Sequence, residues 1–383
     1  MISTPRGGAP LTVAVAYPGD PTDPRHWSGT PAGLVAGLRA ADVDVRPVDL
    51  TPPAAVARVW TRAVAGRLRP SPEHLLGVTR QGAPYAQLVS AVARLRIPRD
   101  VHAVLQIGTG YRVEHPVVAT FEDMTVAQAR RHRWGPFASL PARVAEGRER
   151  LQRRAYEDAA VCFMATRWSA RSVVEDYGVD PAKVCATGLG INRAAPAPSE
   201  RNWQTPTFLF VGNDWARKNG EMVLRAFRAV RRLHPQARLH LVGHGIPGVQ
   251  EPGVRVHGPM PMGDPAAQAR LAALFGQSTC LVVPSRLEPA GIVYAEAASA
   301  GMPSIGSTVG GAADVIGGGG EVVDPEDAGA LTAAMLRMAD PAAARAAGER
   351  AQAHARTLTW AAVGAVVADR LRLEVNGTQA VVR

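Results

Sequence analysis

Short apolar runs alternate along the whole chain with amphipathic stretches of helical period. Strands separated by helices in this way are typical of α/β folds with parallel sheets. In the first half, the predicted strands are LTVAVAYPG, VDVRPVDL, VHAVLQIG, PVVATF, AAVCFMAT and KVCATGL. In the second half, they are TFLFVG, ARLHLVG, VRVHG, TCLVVPS, SIGST and EVVD.

The helical stretches and one polar segment divide this pattern into domains. The predicted helices cover Thr30 to Ala41, Ser169 to Tyr177, Gly220 to Leu233, Asp264 to Phe275, and Pro341 to Leu373 as one or two helices. The segment from Ala194 to Pro206 is rich in proline and polar residues, which predicts an interdomain linker. We therefore expect Rossmann-like domains over 1–195 and 205–355, followed by a C-terminal helix and tail over 356–383.

The segment from Pro284 to Pro303, PSRLEPAGIVYAEAASAGMP, carries the strongest chemical signal. Gly291 lets the backbone approach a ligand closely, and the apolar residues after it predict a helix. Glu288 then lies in the loop and Glu296 on the helix, on either side of an N-terminus that attracts phosphate. The pattern indicates a binding site for a nucleotide-linked sugar. The simpler interpretation is a strand–loop–helix unit with two solvated glutamates.

Together with later motifs, this segment resembles the family 4 glycosyltransferases of GT-B fold. The family pattern E-P-F-G-x-x-x-x-E, then A-x-G-x-P and a Gly-Gly, is matched here by Glu288 to Glu296, Ala300 to Pro303, and Gly310-Gly311, with Ala290 in place of Phe. The resemblance is strong from about Thr205 to Asp340 and loose in the N-terminal half. It implies two facing Rossmann-like domains with a cleft between them, and a terminal helix that crosses back to the first domain with Trp360 as its anchor.

The same resemblance implies a function. We expect a hexosyltransferase that moves a sugar from a UDP- or GDP-linked donor to an acceptor hydroxyl, with retention of configuration. The alternatives are a sugar-nucleotide epimerase or hydrolase of the same fold, and a non-catalytic sugar-nucleotide-binding subunit. No cofactor and no metal are expected.

The loop FVGNDWARKNG places cations where a diphosphate leaving group would develop charge. Arg217 and Lys218 are predicted to stabilise that charge. Gly212 and Asn213 are predicted donor-binding residues of the same loop, although relatives usually have an Arg in place of Asn213. A solvated basic helix start is the alternative.

By resemblance, Glu288 faces the donor sugar and Glu296 takes the ribose hydroxyls. The N–H groups of Gly291, Ile292 and Val293 are expected to bind the phosphates. Gly310-Gly311 is predicted as a second flexible turn of the same site, and a plain loop is the alternative.

The first domain offers weaker candidates. Gly29, in the loop after the first strand, is predicted to approach the donor, and Asp20 or His26 is an acceptor candidate unless that loop is only surface. Glu122 and Asp123 stand where many relatives carry a His, and a carboxylate there can orient a hydroxyl or accept its proton.

Two motifs point to other chemistry. Gly243 to Gly248 matches G-x-G-x-x-G, but Pro247 prevents the long helix that a dinucleotide site requires. Asp42-Val43-Asp44 spells D-x-D, the metal motif of another glycosyltransferase fold, and strand alternation explains it. We therefore expect neither NAD nor a metal.

The formal net charge of +10 suits an anionic partner. Without a nucleic-acid-binding motif we expect no nucleic acid partner. The arginine-dense stretch from Gln128 to Arg154 is either a solvated basic face or a peripheral membrane contact. The three cysteines lie in apolar contexts, which predicts buried free thiols in a reducing compartment. We read no secretion signal and no apolar run long enough to span a membrane. We therefore expect a cytoplasmic protein, at most at the inner face of the membrane.

Overall fold

The computed structural model describes residues 10–53, 80–192 and 201–382. The chain divides into two compact units, Met1–Thr187 with Trp360–Arg383, and Gly188–Thr359. Each unit contains a six-stranded sheet. The predicted linker from Ala194 to Pro206 lies partly outside the described residues.

The strands of the first sheet are Thr12–Tyr17 (β1), Asp44–Asp49 (β2), Ala103–Ile107 (β3), Val118–Glu122 (β4), Val161–Met164 (β5) and Val184–Ala186 (β6). They are all parallel, in the order β2-β1-β3-β4-β5-β6. The interior strands β1, β3, β4 and β5 are largely buried, which explains why these apolar runs form the centre of the sheet.

The helices of the first unit begin at polar capping residues or at proline. Thr125 and Gln128 form a reciprocal capping box at one helix, and Thr166 and Ser169 form another. The helices that precede Thr187 are Thr30–Ala40 (α1), Ala83–Arg96 (α2), Val126–Arg131 (α3), Ala142–Asp158 (α4) and Arg167–Glu175 (α5).

The strands of the second sheet are Thr207–Val211 (β7), Arg238–Val242 (β8), Val254–Gly258 (β9), Cys280–Val282 (β10), Ser304–Ser307 (β11) and Gly320–Val323 (β12). This sheet is also parallel, in the order β12-β11-β10-β7-β8-β9. Its helices are Gly220–Leu233 (α6), Pro265–Gln277 (α7), Ile292–Ser299 (α8), Ala312–Ile316 (α9), Ala328–Arg337 (α10) and Pro341–Ala355 (α11).

The core of the second unit lies between this sheet and its helices. Val223, Phe227 and Val230 form one apolar stripe of α6 because they are spaced four and three residues apart. Phe227 packs edge-on against Phe208 of β7, with ring centroids 6.3 Å apart.

The last helix, Trp360–Val382 (α12), belongs to the first unit and packs against α1. Glycines let the two backbones approach closely. A Cβ on Gly33 would lie 2.1 Å from the Trp360 ring, and one on Gly37 would lie 2.0 Å from the Trp360 carbonyl oxygen.

Two further properties concern the helices and the cysteines. Within the described ranges, no helix is both long and apolar enough to cross a lipid bilayer. The three cysteines are free thiols, as expected; Cys162 and Cys280 are buried, but Cys185 is only half-buried because it lies on the edge strand β6.

Candidate functional site

The strand order of the second sheet reverses between β7 and β10, which are adjacent. The loops that follow two such strands diverge and leave a crevice at the carboxyl edge of the sheet, where ligands of doubly wound folds bind. Arg217 and Lys218 lie in the loop after β7, and Glu288 lies in the loop after β10. The topology therefore brings these three predicted residues to one place.

Lys218 and Glu288 form an ion pair between the two loops. Lys218 Nζ donates a hydrogen bond to Glu288 Oε2, and the two residues are only 8% and 7% exposed. Ser285 Oγ donates to the same carboxylate oxygen at 3.0 Å. The carboxylate is thus held by a cation and a hydroxyl in a largely dry environment.

The ionisation of Glu288 follows from these neighbours. Burial alone would raise the pKa of its carboxyl group. The attraction of Lys218, together with Arg217 Nη1 at 3.7 Å, outweighs burial, so the pKa lies below its usual value. Glu288 is therefore a carboxylate at neutral pH and can accept hydrogen bonds.

The backbone of Glu288 is fixed by the turn that contains Gly310 and Gly311. The Glu288 N–H donates to the Val309 carbonyl at 3.2 Å, and the Gly311 N–H donates to the Glu288 carbonyl at 2.9 Å. Gly310 has φ +117°, and a Cβ there would lie 2.0 Å from the Glu288 carbonyl oxygen. The predicted glycine turn thus contacts the candidate carboxylate residue directly.

The other residues of the β7 loop have different environments. Arg217 Nη1 donates to the Leu287 carbonyl at 3.2 Å, and its side chain is 28% exposed. Gly212 is buried against Lys218, because a Cβ there would lie 2.8 Å from Lys218 Cγ. Asn213 is an exposed residue of the same loop.

Helix α8 begins immediately after the Glu288 loop. Gly291 is its N-cap at φ +79°, and a Cβ there would lie 2.4 Å from the Tyr294 ring. Gly291, Ile292 and Val293 are half-buried, so this end of the helix reaches solvent. The first N–H groups of a helix have no partner within it, which makes this end suitable for an anion.

Glu296 lies one turn further along α8. It is 7% exposed, and its carbonyl accepts the Ser299 hydroxyl at 2.8 Å. Tyr294, on the same helix, is fully buried, and its hydroxyl donates to the Val283 carbonyl at 2.6 Å. Tyr294 therefore anchors α8 to the end of β10.

In the first unit, Glu122 ends β4 as a buried carboxylate in a network of protein donors. Oε1 accepts from the Thr109 N–H at 3.0 Å and the Thr109 hydroxyl at 2.7 Å. Oε2 accepts from Gln152 Nε2 and from the Tyr156 hydroxyl, both at 2.6 Å. Burial raises the pKa of Glu122, and nearby Arg148 opposes that effect. These four protein donors already use both carboxylate oxygens. A catalytic role for Glu122 stays a prediction.

Asp123 contacts the loop that contains Gly29. Trp27 Nε1 donates to Asp123 Oδ2 at 3.2 Å. Trp27, Ser28 and Gly29 are three consecutive residues with positive φ, at 43°, 52° and 86°. Such backbone strain in non-glycine residues costs on the order of 1–3 kcal/mol each and is found mostly at functional sites.

The two motifs that suggest NAD or metal binding have structural explanations. Gly243, the first glycine of the G-x-G-x-x-G match, has φ +142°, and a Cβ there would lie 1.7 Å from the Gly212 carbonyl oxygen. It therefore permits close packing of the ends of β7 and β8. Asp44 Oδ2 of the D-x-D match accepts from Arg46. In the part of the chain that is described, no three acidic, His or Cys residues are grouped so that they could hold a metal.

Comparison with known proteins assigns one segment of the chain to a family. Residues 205–340 match the family described as glycosyl transferases group 1, and this segment contains the whole Lys218–Glu288 site. The second unit is therefore a group 1 glycosyl transferase domain. The resemblance of the motifs to the family 4 glycosyltransferases is confirmed.

Relatives of this glycosyl transferase domain are named for sugar transfer. D-inositol 3-phosphate glycosyltransferase 2 of Catenulispora acidiphila is 29% identical over 55% of this chain and 56% of the relative. D-inositol 3-phosphate glycosyltransferase of Streptomyces griseus is 26% identical over 91% of this chain and 86% of the relative. The chain thus spans only about half the length of some of the curated relatives it matches.

Solved structures support the same fold. A sucrose-phosphate synthase from Thermosynechococcus elongatus superposes with a TM-score of 0.67 at 19% identity, covering 95% of this chain and 98% of that one. The predicted GT-B fold is confirmed by this likeness and by the two parallel sheets.

Sequence reasoning missed several residues of these environments. Ser285 lies three residues before Glu288, but its contact with the carboxylate depends on the turn between them. Thr109, Gln152 and Tyr156 surround Glu122 from distant parts of the chain. For Ser285, its position in the same segment as Glu288 was the one sequence feature that could have indicated a role in the site.

Proposed function

We propose that this protein transfers a hexosyl group from a UDP- or GDP-linked sugar to an acceptor hydroxyl, with retention of configuration. The observation that carries the proposal is the buried Lys218–Glu288 pair beside the solvent-accessible start of α8. A cation, a carboxylate and a helix N-terminus within one group 1 glycosyl transferase domain suit a diphosphate linked to a sugar.

The cations are assigned to the leaving group. When the bond between C1 of the sugar and the phosphate oxygen breaks, negative charge develops on the diphosphate. Lys218, Arg217 and the N–H groups of Gly291, Ile292 and Val293 would stabilise that charge. Lys218 Nζ donates to Glu288, so the diphosphate would compete with this carboxylate for Nζ.

The carboxylates are assigned to hydroxyl groups of the donor. Glu288 would accept a hydrogen bond from the sugar, and Glu296 from the ribose. Retention then follows if the acceptor oxygen bonds to C1 on the face that the phosphate leaves, while the acceptor proton passes to the departing phosphate oxygen. This step requires no protein nucleophile, cofactor or metal.

Variants of the ion pair test the proposal. We expect Lys218→Gln to lower kcat/KM for sugar transfer about 100-fold, because a lost charge-stabilising donor costs about 3 kcal/mol. Glu288→Gln should lower kcat at least as much, because a neutral amide replaces the charged acceptor for the sugar hydroxyl. The measurement is sugar transfer from UDP- and GDP-linked donors, with isothermal titration of UDP and GDP for binding.

Lys183→Gln is the matched control, because Lys183 and Lys218 are the only lysines in the chain. Lys183 Nζ donates to the Glu157 carbonyl, and both residues belong to the first unit. Near-normal transfer by Lys218→Gln and Glu288→Gln, with unchanged folding, would refute the proposal.

The acceptor assay also separates transfer from other reactions of sugar nucleotides. D-inositol 3-phosphate is the first acceptor to test, because the names of the relatives contain it. Formation of a new glycoside supports transfer. Nucleotide release without a glycoside, or formation of an epimer, across a panel of sugar and lipid acceptors would favour the hydrolase or epimerase alternative, which the names of the relatives do not favour.

We also propose peripheral contact with an anionic membrane, at the cytoplasmic face, through the stretch from Gln128 to Arg154. Trp134 and Phe137 are half-buried beside the exposed Arg133 and Arg143, a mixture that suits a lipid headgroup surface.

The membrane contact predicts charge-dependent binding to vesicles. Arg143→Gln with Arg150→Gln should weaken cosedimentation with phosphatidylglycerol-containing vesicles at least tenfold, since each basic residue contributes about 1 kcal/mol near such a surface. Arg232→Gln, an exposed arginine of the second unit, is the control. Equal binding of the double variant and the wild type would exclude this surface.

A further inference from the structure

A cavity of about 420 Å³ lies in the first unit, at the amino ends of β3 and β4. The carboxyl ends, where doubly wound folds bind their usual ligands, are at the opposite edge of the sheet. The described residues that line the cavity come from the segments before β3 and β4 and from the last turns of α12: Arg99, Val101, His102, Glu114, His115, Pro116, Val117, Val375 and Thr378.

We propose that this cavity binds a small organic anion whose carboxylate or phosphate group meets Arg99 and His102. The volume is within the roughly 300–1,000 Å³ of pockets that hold small molecules. The cavity shares no residue with the proposed donor site around Lys218 and Glu288, because all of its lining residues belong to the first unit.

The hydrogen bonding of His102 makes it a donor towards a ligand. Its Nδ1 accepts the Thr12 N–H at 2.9 Å. In a neutral imidazole the other nitrogen then carries the proton, so Nε2–H is the donor. A carboxylate or phosphate oxygen is the complementary acceptor.

His115, by contrast, uses both ring nitrogens in hydrogen bonds to the protein backbone. Its Nδ1 accepts the Val117 N–H at 3.1 Å, and its Nε2 is 3.2 Å from the Val101 carbonyl oxygen. Both nitrogens have backbone partners on the two segments that border the cavity. His115 therefore fixes the wall and has no unused proton for a ligand.

The charges around the cavity favour an anion. Glu114 is neutralised by Arg94, whose Nη2 and Nε lie 2.7 and 3.1 Å from its Oε1. Among the residues that the structure describes, Arg99 is exposed and forms no ion pair. One uncompensated cation therefore stands at the cavity, where a charge-assisted hydrogen bond to an oxyanion is about twice as strong as a neutral one.

The rest of the lining indicates an organic ligand that has an apolar part as well as an anionic group. Val101, Pro116, Val117 and Val375 are apolar, and the Thr378 hydroxyl already donates to the Glu374 carbonyl at 2.9 Å. Anion and apolar wall together fit a carboxylic acid or a phosphate ester with a carbon skeleton.

Histidine-selective NMR of the full chain tests the site. With ¹³Cε1-labelled histidine, the protein gives signals from ten histidines, and His102→Gln identifies the signal of His102. We titrate inorganic phosphate and, separately, succinate at constant pH and ionic strength. The His102 signal should shift with saturation, and the tighter of the two probes identifies the preferred head group.

The controls separate a site from general ion effects. Arg99→Gln should raise the apparent Kd at least fivefold, whereas Arg345→Gln, an exposed arginine of the second unit, should leave it unchanged. The signal of the exposed His244 should not saturate with the same Kd. Absence of a saturable His102 shift with both probes, or an unchanged Kd in Arg99→Gln, would overturn the proposal.

Discussion

At the scale of single residues, Ser285 is the neighbour that orients the Glu288 carboxylate. Ser285 is fully buried, and its hydroxyl donates to Oε2 at 3.0 Å. This hydrogen bond favours the charged form and contributes to the low pKa of Glu288. Ser285→Ala should therefore raise that pKa and move the acidic limb of the kcat/KM profile for sugar transfer to higher pH.

The same variant should lower kcat/KM about tenfold at neutral pH, because a hydrogen bond of this kind contributes about 1–1.5 kcal/mol. Ser285→Thr keeps the hydroxyl and should restore the pH profile. Steady-state kinetics over pH, with thermal unfolding as a check of the fold, measure both effects. An unshifted acidic limb in Ser285→Ala would show that the hydroxyl does not act through Glu288.

Some residues of the site could be predicted from short sequence segments, whereas the environments of others depend on contacts between distant positions. Lys218 and Glu288 could be predicted because residue type, loop position and motif spacing coincide in short segments. The burial of Glu122 could not, because its donors come from Thr109, Gln152 and Tyr156, which are 13 to 34 positions away. Nothing near Glu122 in sequence distinguishes a buried network from a catalytic group.

At the scale of elements, apolar runs with strong β propensity predicted the strands of both sheets. Short helices such as α9 and α10 were missed. Ala312–Ile316 and Ala328–Arg337 are dominated by small or apolar residues, and such residues leave little helical periodicity to read. Their existence depends on covering the sheet, which is a tertiary effect.

The adjacent strands β8 and β9 make a specific pH prediction. His240 Nδ1 and His257 Nε2 are 2.9 Å apart and share one hydrogen bond. Burial first, and then the neighbouring His257, lower the pKa of His240 to about 4. Because the unfolded pKa is about 6.5, the neutral pair favours folding above that pH, and this stability is lost as the pH falls towards 4.

Replacing His240 with Gln removes the group that must be protonated. The variant should lose less thermal stability than the wild type between pH 7 and pH 5, even if it is less stable at pH 7. His244→Gln, an exposed histidine, is the control and should behave as the wild type. Parallel pH dependences of Tm for wild type and His240→Gln would contradict this account.

At the scale of the whole molecule, the first unit is discontinuous in sequence. The chain leaves it after Thr187, forms the second unit, and returns at Trp360 to add α12. Loop-closure entropy grows only slowly with the length of the intervening chain, so the long insertion costs little if the returning helix packs well. The stability of the first unit therefore depends on the contact between α1 and α12.

That contact predicts unequal effects of one substitution at two glycines of α12. A Cβ on Gly364 would lie 2.0 Å from the Gly37 carbonyl carbon, whereas nothing lies within 4 Å of one on Gly377. Gly364→Ala should destabilise the first unit by about 1–3 kcal/mol through overpacking, because neither backbone can move aside freely. Gly377→Ala should be neutral or stabilising by up to about 1 kcal/mol, because alanine is the better helix former.

Hydrogen exchange of both variants resolves the effect by unit. For Gly364→Ala we expect faster exchange in α1, α12 and the first sheet, with unchanged exchange around Lys218 and Glu288. Equal destabilisation by Gly364→Ala and Gly377→Ala would mean that helix propensity, and not the close approach to Gly37, decides the outcome. Faster exchange throughout the second unit as well would mean that the two units unfold as one cooperative body.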